Sequence, residues 1–146
     1  MQIFINQALQ EDIRDGDHST LSTIPPDLIQ KAQLIVKEDC ILAGVELAEI
    51  IFQTFDPEMK VEFFLLDGDV AKKGDIAFIV TGKAQSILQT ERLVLNCMQR
   101  MSGIATLTRD WTKELAGTST KLLDTRKTTP NFRICEKWAV AIGGLS

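Results

Sequence analysis

The sequence predicts a mixed α/β fold. Three observations point to it. Runs of helical period alternate with short runs rich in branched residues, a wholly β-like segment lies in the middle of the chain, and the C-terminal part reads as strand, cationic loop, helix.

Taken in order, residues 3–11 read as a short helix, and RDGDHST, from Arg14 to Thr20, as a turn, because Asp, Gly, Ser and Thr favour turn conformations. KAQLIVKEDCILAG, from Lys31, alternates in polarity and suggests one or two strands closed by Gly44. In VELAEIIFQTF the apolar residues Val45, Ala48, Ile51, Phe52 and Phe55 recur at helical spacing, and Pro57 ends the element. KVEFFLLDGDVAKKGDIAFIVTG, from Lys60, reads as two apolar strands around a charged, Gly-containing connection, an all-β insert. From Ala84 to Met101 the period is helical again. Ile87, Val94, Met98 and Met101 form one side, widened by Leu88 and Leu95, while Gln85, Gln89, Arg92, Asn96, Gln99 and Arg100 form a polar stripe opposite. After Gly103 a second helical segment runs to Gly117, a residue suited to a C-cap. KLLDT (121–125) reads as a short buried strand, RKTT (126–129) as a loop, and the segment from Pro130 to Gly144 as a helix with Thr129 as N-cap. Trp111 and Trp138 fall at helical core positions.

The bulk numbers narrow the function classes. With 146 residues, 45% hydrophobic and 25% charged, the chain has the composition of a soluble globular domain. No apolar run suits a bilayer crossing, and MQIFINQALQ lacks the basic-then-apolar pattern of a signal peptide, so a cytoplasmic location without a membrane partner is expected. Cys40, Cys97 and Cys135 are odd in number and sit in apolar or helical contexts, which suggests free thiols, and with His18 as the one histidine no zinc site or histidine-based relay is expected. The net charge of −4 argues against a nucleic-acid partner.

That charge is uneven. Between Lys121 and Lys137 lie five cations (Lys121, Arg126, Lys127, Arg133, Lys137) and two anions (Asp124, Glu136), a local +3 that leaves −7 for the remainder. Such a local potential suits a small, strongly anionic ligand. Arg126 and Lys127 fall where a strand passes into a helix, the place at which βα barrels and doubly wound sheets meet their ligands. A guanidinium offers a planar fork and an ammonium a compact charge, so the pair can hold two different anionic groups, with Thr125, Thr128 and Thr129 as hydroxyl donors. On spacing alone, a solvated loop with an incidental Arg–Lys pair fits equally well.

The strings TERLVLNCMQRMSGIATLT and LLDTRKTTPNFRICEKWAVAIGG closely resemble nicotinate-nucleotide pyrophosphorylase, also called quinolinate phosphoribosyltransferase. The resemblance extends more loosely upstream through EDIRDGDHSTLSTIP and LAGVELAEIIF. It implies an N-terminal α/β sandwich with a barrel-sandwich-like β insert over residues 1–103, then the start of an incomplete α/β barrel over 104–146. A barrel of this type takes roughly 200 residues or more and only about 40 follow Ile104, so the chain is expected to be a piece, or the ordered part, of a protein about twice as long. Were Ser146 the true end, the strand surface at KLLDT would lack neighbours.

By the same resemblance, the substrates are quinolinate and phosphoribosyl pyrophosphate, the latter with Mg2+. Arg126, helped by Thr125, would bind a quinolinate carboxylate. Lys127, the expected catalytic residue, would lie towards the phosphoribosyl pyrophosphate and stabilise charge there. Arg92 would reach the quinolinate site of a partner subunit in a homodimer, with the stripe of Gln89, Arg92, Asn96 and Gln99 at the interface; taken alone, it reads as part of a solvated face or an ion pair with a neighbour such as Glu91. Arg109, Lys121, Arg133 and Lys137 read as surface charge or helix ion pairs, and Asp124 either orients Arg126 or Lys127 or bonds backbone. His18 stands where the family more often has an apolar residue, and no role is expected of it. Two other readings remain open: a molybdenum-transport-associated paralogue with another substrate, and a biotinyl or lipoyl carrier module suggested by DGDVAKKGDIAFIVTGKA.

Overall fold

The computed structural model describes residues 1–14 and 18–145. Along the chain run α1 (Gln2–Ile13), α2 (His18–Thr23), β1 (Ile29–Ile35), β2 (Cys40–Ile41), α3 (Val45–Phe55), β3 (Lys60–Phe63), β4 (Val70–Ala71), β5 (Ile76–Lys83), α4 (Ala84–Glu114) and α5 (Arg133–Gly143). Helices and antiparallel strands mix as expected, and the described residues close no barrel.

β5, the longest of the described strands, takes the centre of a three-stranded antiparallel sheet in the order β1-β5-β3. Leu34 stands opposite Phe78 on one side of it, and Phe63 opposite the same residue on the other. Phe78 meets Phe52 of α3 and Phe63 edge to face, which fixes α3 over the sheet. β2 pairs with β4 in a separate two-stranded ribbon. The central β segment is therefore no self-contained insert: each of its strands except β3 finds a partner upstream of Lys60.

α4 is the axis on which the other parts lie, packing against α3 and α5 and touching α1, α2, β1, β2 and β5. It covers the edge of the β2 segment with hydroxyls. Ser102 Oγ accepts from Ala43 N at 3.0 Å and donates to Ala43 O at 3.1 Å, and Thr106 Oγ1 accepts from Ile41 N at 2.9 Å. Backbone groups that would otherwise be buried without partners are thus satisfied by a helix. At the entry to α3, Gly44 has φ +95°, and a Cβ there would sit 3.2 Å from the backbone of Met98, so the α3–α4 approach depends on glycine. Asp67 caps α3 from a distance, accepting from Val45 N at 2.8 Å and Glu46 N at 3.2 Å.

Five expectations are corrected. The helix begun at Ala84 does not stop near Gly103 but runs on to Glu114. A glycine there costs only about 1 kcal/mol relative to alanine, and the buried Met101, Ser102, Ala105 and Thr108 on either side outweigh it. KLLDT is neither strand nor buried, with Leu123 86% exposed. A strand needs a neighbour, and no described strand runs beside this segment. The last helix begins at Arg133 rather than Pro130, because Asn131 takes a left-handed φ of 63° and interrupts the helical path. Trp111 is half exposed on α4, as are Leu88 and Leu95, so the buried face of that helix is narrower than its apolar pattern. Of RDGDHST, the segment 15–17 lies outside the described residues, and His18 opens α2 rather than a turn.

Candidate functional site

The loop from Asp124 to Thr129 has little regular structure, so its shape must come from side-chain bonds. Asp124 Oδ1 accepts from Thr125 N at 2.7 Å, Thr125 Oγ1 accepts from Lys127 N at 3.1 Å, and Thr128 N bonds Arg126 O at 3.0 Å. These are local turns of the kind that Asp and Thr make readily. They hold Arg126 and Lys127 with their backbones engaged and their side chains in solvent. Among the described residues, no hydrogen bond or ion pair engages the Arg126 guanidinium or the Lys127 ammonium.

The first turns of α5 grip the loop from behind. Arg133 donates from Nε to Thr128 Oγ1 at 3.0 Å and from Nη2 to Arg126 O at 3.1 Å. Lys137 Nζ donates to Asp124 Oδ2 and to Thr125 O. Glu136, with 6% of its surface exposed, accepts from Thr129 N at 3.2 Å and Thr129 Oγ1 at 2.8 Å. Arg100 of α4 closes the cluster on the same carboxylate, from Nε at 3.1 Å and Nη2 at 3.0 Å. Burial pushes the Glu136 carboxyl up, but the bonds from Thr129 and Arg100 outweigh it and hold the group below its ordinary value. Thr129 is thus bound by a residue of the helix instead of capping it, and the first turn of α5 carries a carboxylate.

Of the cations assigned to surface charge, Arg133 and Lys137 therefore shape the loop. Arg109 holds the far end of α5, donating to Gly143 O at 3.0 Å and Ile142 O at 3.3 Å. Of the two roles expected for Asp124, the structure shows the backbone bond, at Thr125; its other oxygen pairs with Lys137 and orients neither Arg126 nor Lys127. In the sequence, Arg133, Glu136 and Lys137 stand at positions i, i+3 and i+4 and share one helix face, a pattern that marks a charged face and does not say what it reaches.

Arg92 lies elsewhere. It is exposed on α4, with Nη1 3.7 Å from Asp12 Oδ1, and it lines a groove of 880 Å³ with Arg14, His18, Gln89, Asn96 and Gln99. None of Thr125, Arg126 and Lys127 borders that groove. The structure joins the three loop residues into one unit and leaves Arg92 apart from them. No group of three or more His, Cys, Asp or Glu that could hold a metal ion occurs among the described residues. Cys97 and Cys135 are buried free thiols and Cys40 is half-buried and free; burial pushes Cys97 up to about 12 and Cys135 up to about 11.

The loop thus presents two uncompensated cations, braced by the helix that follows it, in a chain of the α/β class. The chain belongs to the quinolinate phosphoribosyl transferase family: the family's N-terminal domain matches residues 17–102 and its C-terminal domain residues 104–146. It is 48% identical to the chloroplastic nicotinate-nucleotide pyrophosphorylase [carboxylating] of Oryza sativa subsp. japonica, over 99% of this chain and 38% of that protein. It is 50% identical to quinolinate phosphoribosyltransferase [decarboxylating] 1b of Nicotiana tabacum, over 96% of this chain and 40% of that one. Among solved structures, NadC from Streptococcus pyogenes superposes with a TM-score of 0.93 at 36% identity, covering 99% of this chain and 51% of the other. The chain thus spans about half or less of the length of these relatives. The carrier reading is set aside, with Lys72 paired to Asp39 at 3.2 Å, and the relatives named here include no molybdenum-transport paralogue.

Proposed function

We propose that this chain supplies the quinolinate-binding loop and an inter-subunit arginine of a phosphoribosyltransferase that joins quinolinate to phosphoribosyl pyrophosphate and releases pyrophosphate and carbon dioxide. The single observation that carries this reading is the pair of unengaged cations, Arg126 and Lys127, on a loop whose backbone is held by Arg133, Glu136 and Lys137. Preorganised charge of this kind contributes to catalysis because the protein need not reorganise as charge develops.

Arg126 binds a quinolinate carboxylate, with the Thr125 hydroxyl as a second donor; the Thr125 N–H is already given to Asp124. Lys127 lies towards the phosphoribosyl pyrophosphate. The quinolinate nitrogen lone pair forms the bond to ribose C1 while the C1–O bond breaks and its electron pair leaves with pyrophosphate, through an oxocarbenium-like state. The ring nitrogen is then cationic and accepts the electrons as the 2-carboxylate departs as carbon dioxide and a proton takes its place, giving nicotinate mononucleotide. Holding two anionic partners together in one site is the main demand, and positioning with electrostatics meets it without a covalent nucleophile.

The described residues do not fit a protein-held magnesium, since Asp124 is engaged by Lys137 and no acidic cluster is at hand. The ion is read as arriving chelated by the pyrophosphate oxygens, as part of that substrate. Arg92, with Gln89, Asn96 and Gln99 beside it on α4, is read as part of the homodimer surface, with Arg92 entering the partner's site. No described helix is long and apolar enough to cross a membrane, and a cytoplasmic location is part of the same proposal.

The test uses the full-length protein. Arg126→Ala is expected to raise the quinolinate KM by about 100-fold, two charge-assisted bonds at about 1.4 kcal/mol each. Arg92→Ala is expected to leave a dimer in light scattering yet weaken quinolinate binding by about tenfold. Wild-type quinolinate affinity in Arg126→Ala would overturn the assignment of the loop, and a monomeric wild type that of Arg92.

A further inference from the structure

We propose that Glu136 is a positioning residue for quinolinate, a carboxylate that sets the geometry of the Arg126–Lys127 loop and keeps Arg100 from competing with it. The inference rests on the functional reading above and adds a residue that never touches the substrate.

A buried carboxylate is costly unless its lone pairs are filled, and Glu136 fills them with Thr129 N, Thr129 Oγ1, Arg100 Nε and Arg100 Nη2. These donors come from two different elements, so one side chain ties α4 and the loop to α5. Thr129 is the point at which the loop turns towards Pro130, with Phe132 N bonded back to Thr129 O at 3.1 Å. Fixing Thr129 in both backbone and side chain fixes the direction in which the preceding Arg126–Lys127–Thr128 segment leaves the helix. The neighbouring grips are weaker constraints, since the bonds of Arg133 to Thr128 and Arg126 O are exposed.

The charge argument is separate. Arg100 Nη2 reaches to 3.4 Å from Thr129 Oγ1, so a third guanidinium lies beside the anion loop. Glu136 pairs with it at 3.0 Å, and the lowered carboxyl value means that the pairing persists at neutral pH. An anion arriving at the loop therefore meets Arg126 and Lys127 as the free charges, and not an arginine that would draw it towards α4.

The experiment compares four variants of the full-length protein in steady-state kinetics with quinolinate and phosphoribosyl pyrophosphate. Glu136→Gln keeps the side chain's size but replaces one acceptor by a donor, and Thr129→Val removes the hydroxyl at nearly constant volume. Both are expected to raise the quinolinate KM by about tenfold, one charge-assisted bond's worth of positioning, with the phosphoribosyl pyrophosphate KM within about twofold of wild type. Thr129→Ser, which restores the hydroxyl, is expected to return to within about twofold of wild type. A residue that only stabilises the fold would lower the active fraction and hence kcat, leaving KM unmoved. Unchanged quinolinate KM in Glu136→Gln and Thr129→Val, with Arg126→Ala strongly impaired, would overturn the inference and leave the functional reading standing. Should Glu136→Gln fail to fold, Thr129→Val decides by the same criterion. Quinolinate binding untouched by Arg126→Ala would overturn both.

Discussion

Replacing Gly143 by alanine should push α5 off α4, and the size of the effect can be worked out atom by atom. A Cβ at Gly143 would lie 2.6 Å from Thr108 Cβ, 2.7 Å from Ala105 O and 3.0 Å from Thr108 Cγ2. The first is a β-branched side chain within a helix and the second is backbone, so neither can swing aside, and the helices must part by roughly 1 Å to restore ordinary contact. Overpacking of this kind costs about 1–3 kcal/mol, and loosening the bonds from Arg109 to the Ile142 and Gly143 carbonyls adds up to about 1 kcal/mol. Alanine regains about 1 kcal/mol of helix propensity. The net is a loss of about 2 kcal/mol, or a Tm lower by about 4–8 °C for a domain of this size. Gly103 provides the opposite case: it lies in mid-α4, exposed, and a Cβ there meets nothing within 4 Å. Gly103→Ala should raise stability by about 1 kcal/mol and Tm by about 2–4 °C. Thermal and urea unfolding of the 146-residue chain, followed by circular dichroism, reads both. A Gly143→Ala protein as stable as wild type, or one that tracks Gly103→Ala, would refute the close packing of α5 on α4.

The remaining predictions concern the core. Ser102→Ala leaves both Ala43 N and Ala43 O without their partner and should lower unfolding stability by about 2 kcal/mol, seen as a lower urea midpoint at constant m-value. In thiol titration with an aromatic disulfide, half-buried Cys40 should react first, while Cys97 and Cys135 wait for unfolding. Because folding raises the Cys97 and Cys135 values to about 12 and about 11, their contribution to stability is intact below 9.0 and is lost as the pH climbs towards those values. The Cys97→Ala, Cys135→Ala double variant should flatten that alkaline decline in pH-dependent urea unfolding, and an unchanged decline would show that other groups cause it.

What could be read from the sequence, and what could not, follows from how far each signal reaches. The helical period of α3 and the front half of α4 was legible because apolar spacing reports burial against neighbours that are present: Ile51, Phe52, Val94, Met98 and Met101 are all buried. The same signal misled at KLLDT, where apolar residues suggested a strand but strand formation depends on an adjacent edge, which no local pattern records. Gly103 misled in the opposite direction, because a local penalty of about 1 kcal/mol was read without the packing that overrides it. The site divides along the same line. Arg126 and Lys127 stood out because their charge contrasts with an acidic chain, a property of composition alone. Arg133, Glu136 and Lys137 did not, because opposite charges three and four residues apart look the same whether they pair along their own helix or reach back to a loop. Only the fold distinguishes the two, and it chooses the loop. The charge of the proposed anion site is thus written in a dipeptide, whereas the loop's geometry is held by α5 and, through Arg100, by a helix that begins 42 residues before Arg126 at Ala84. Substitutions confined to the dipeptide would test the charge and miss the geometry, and for that reason variants at Glu136 and Thr129 are the more discriminating measurement.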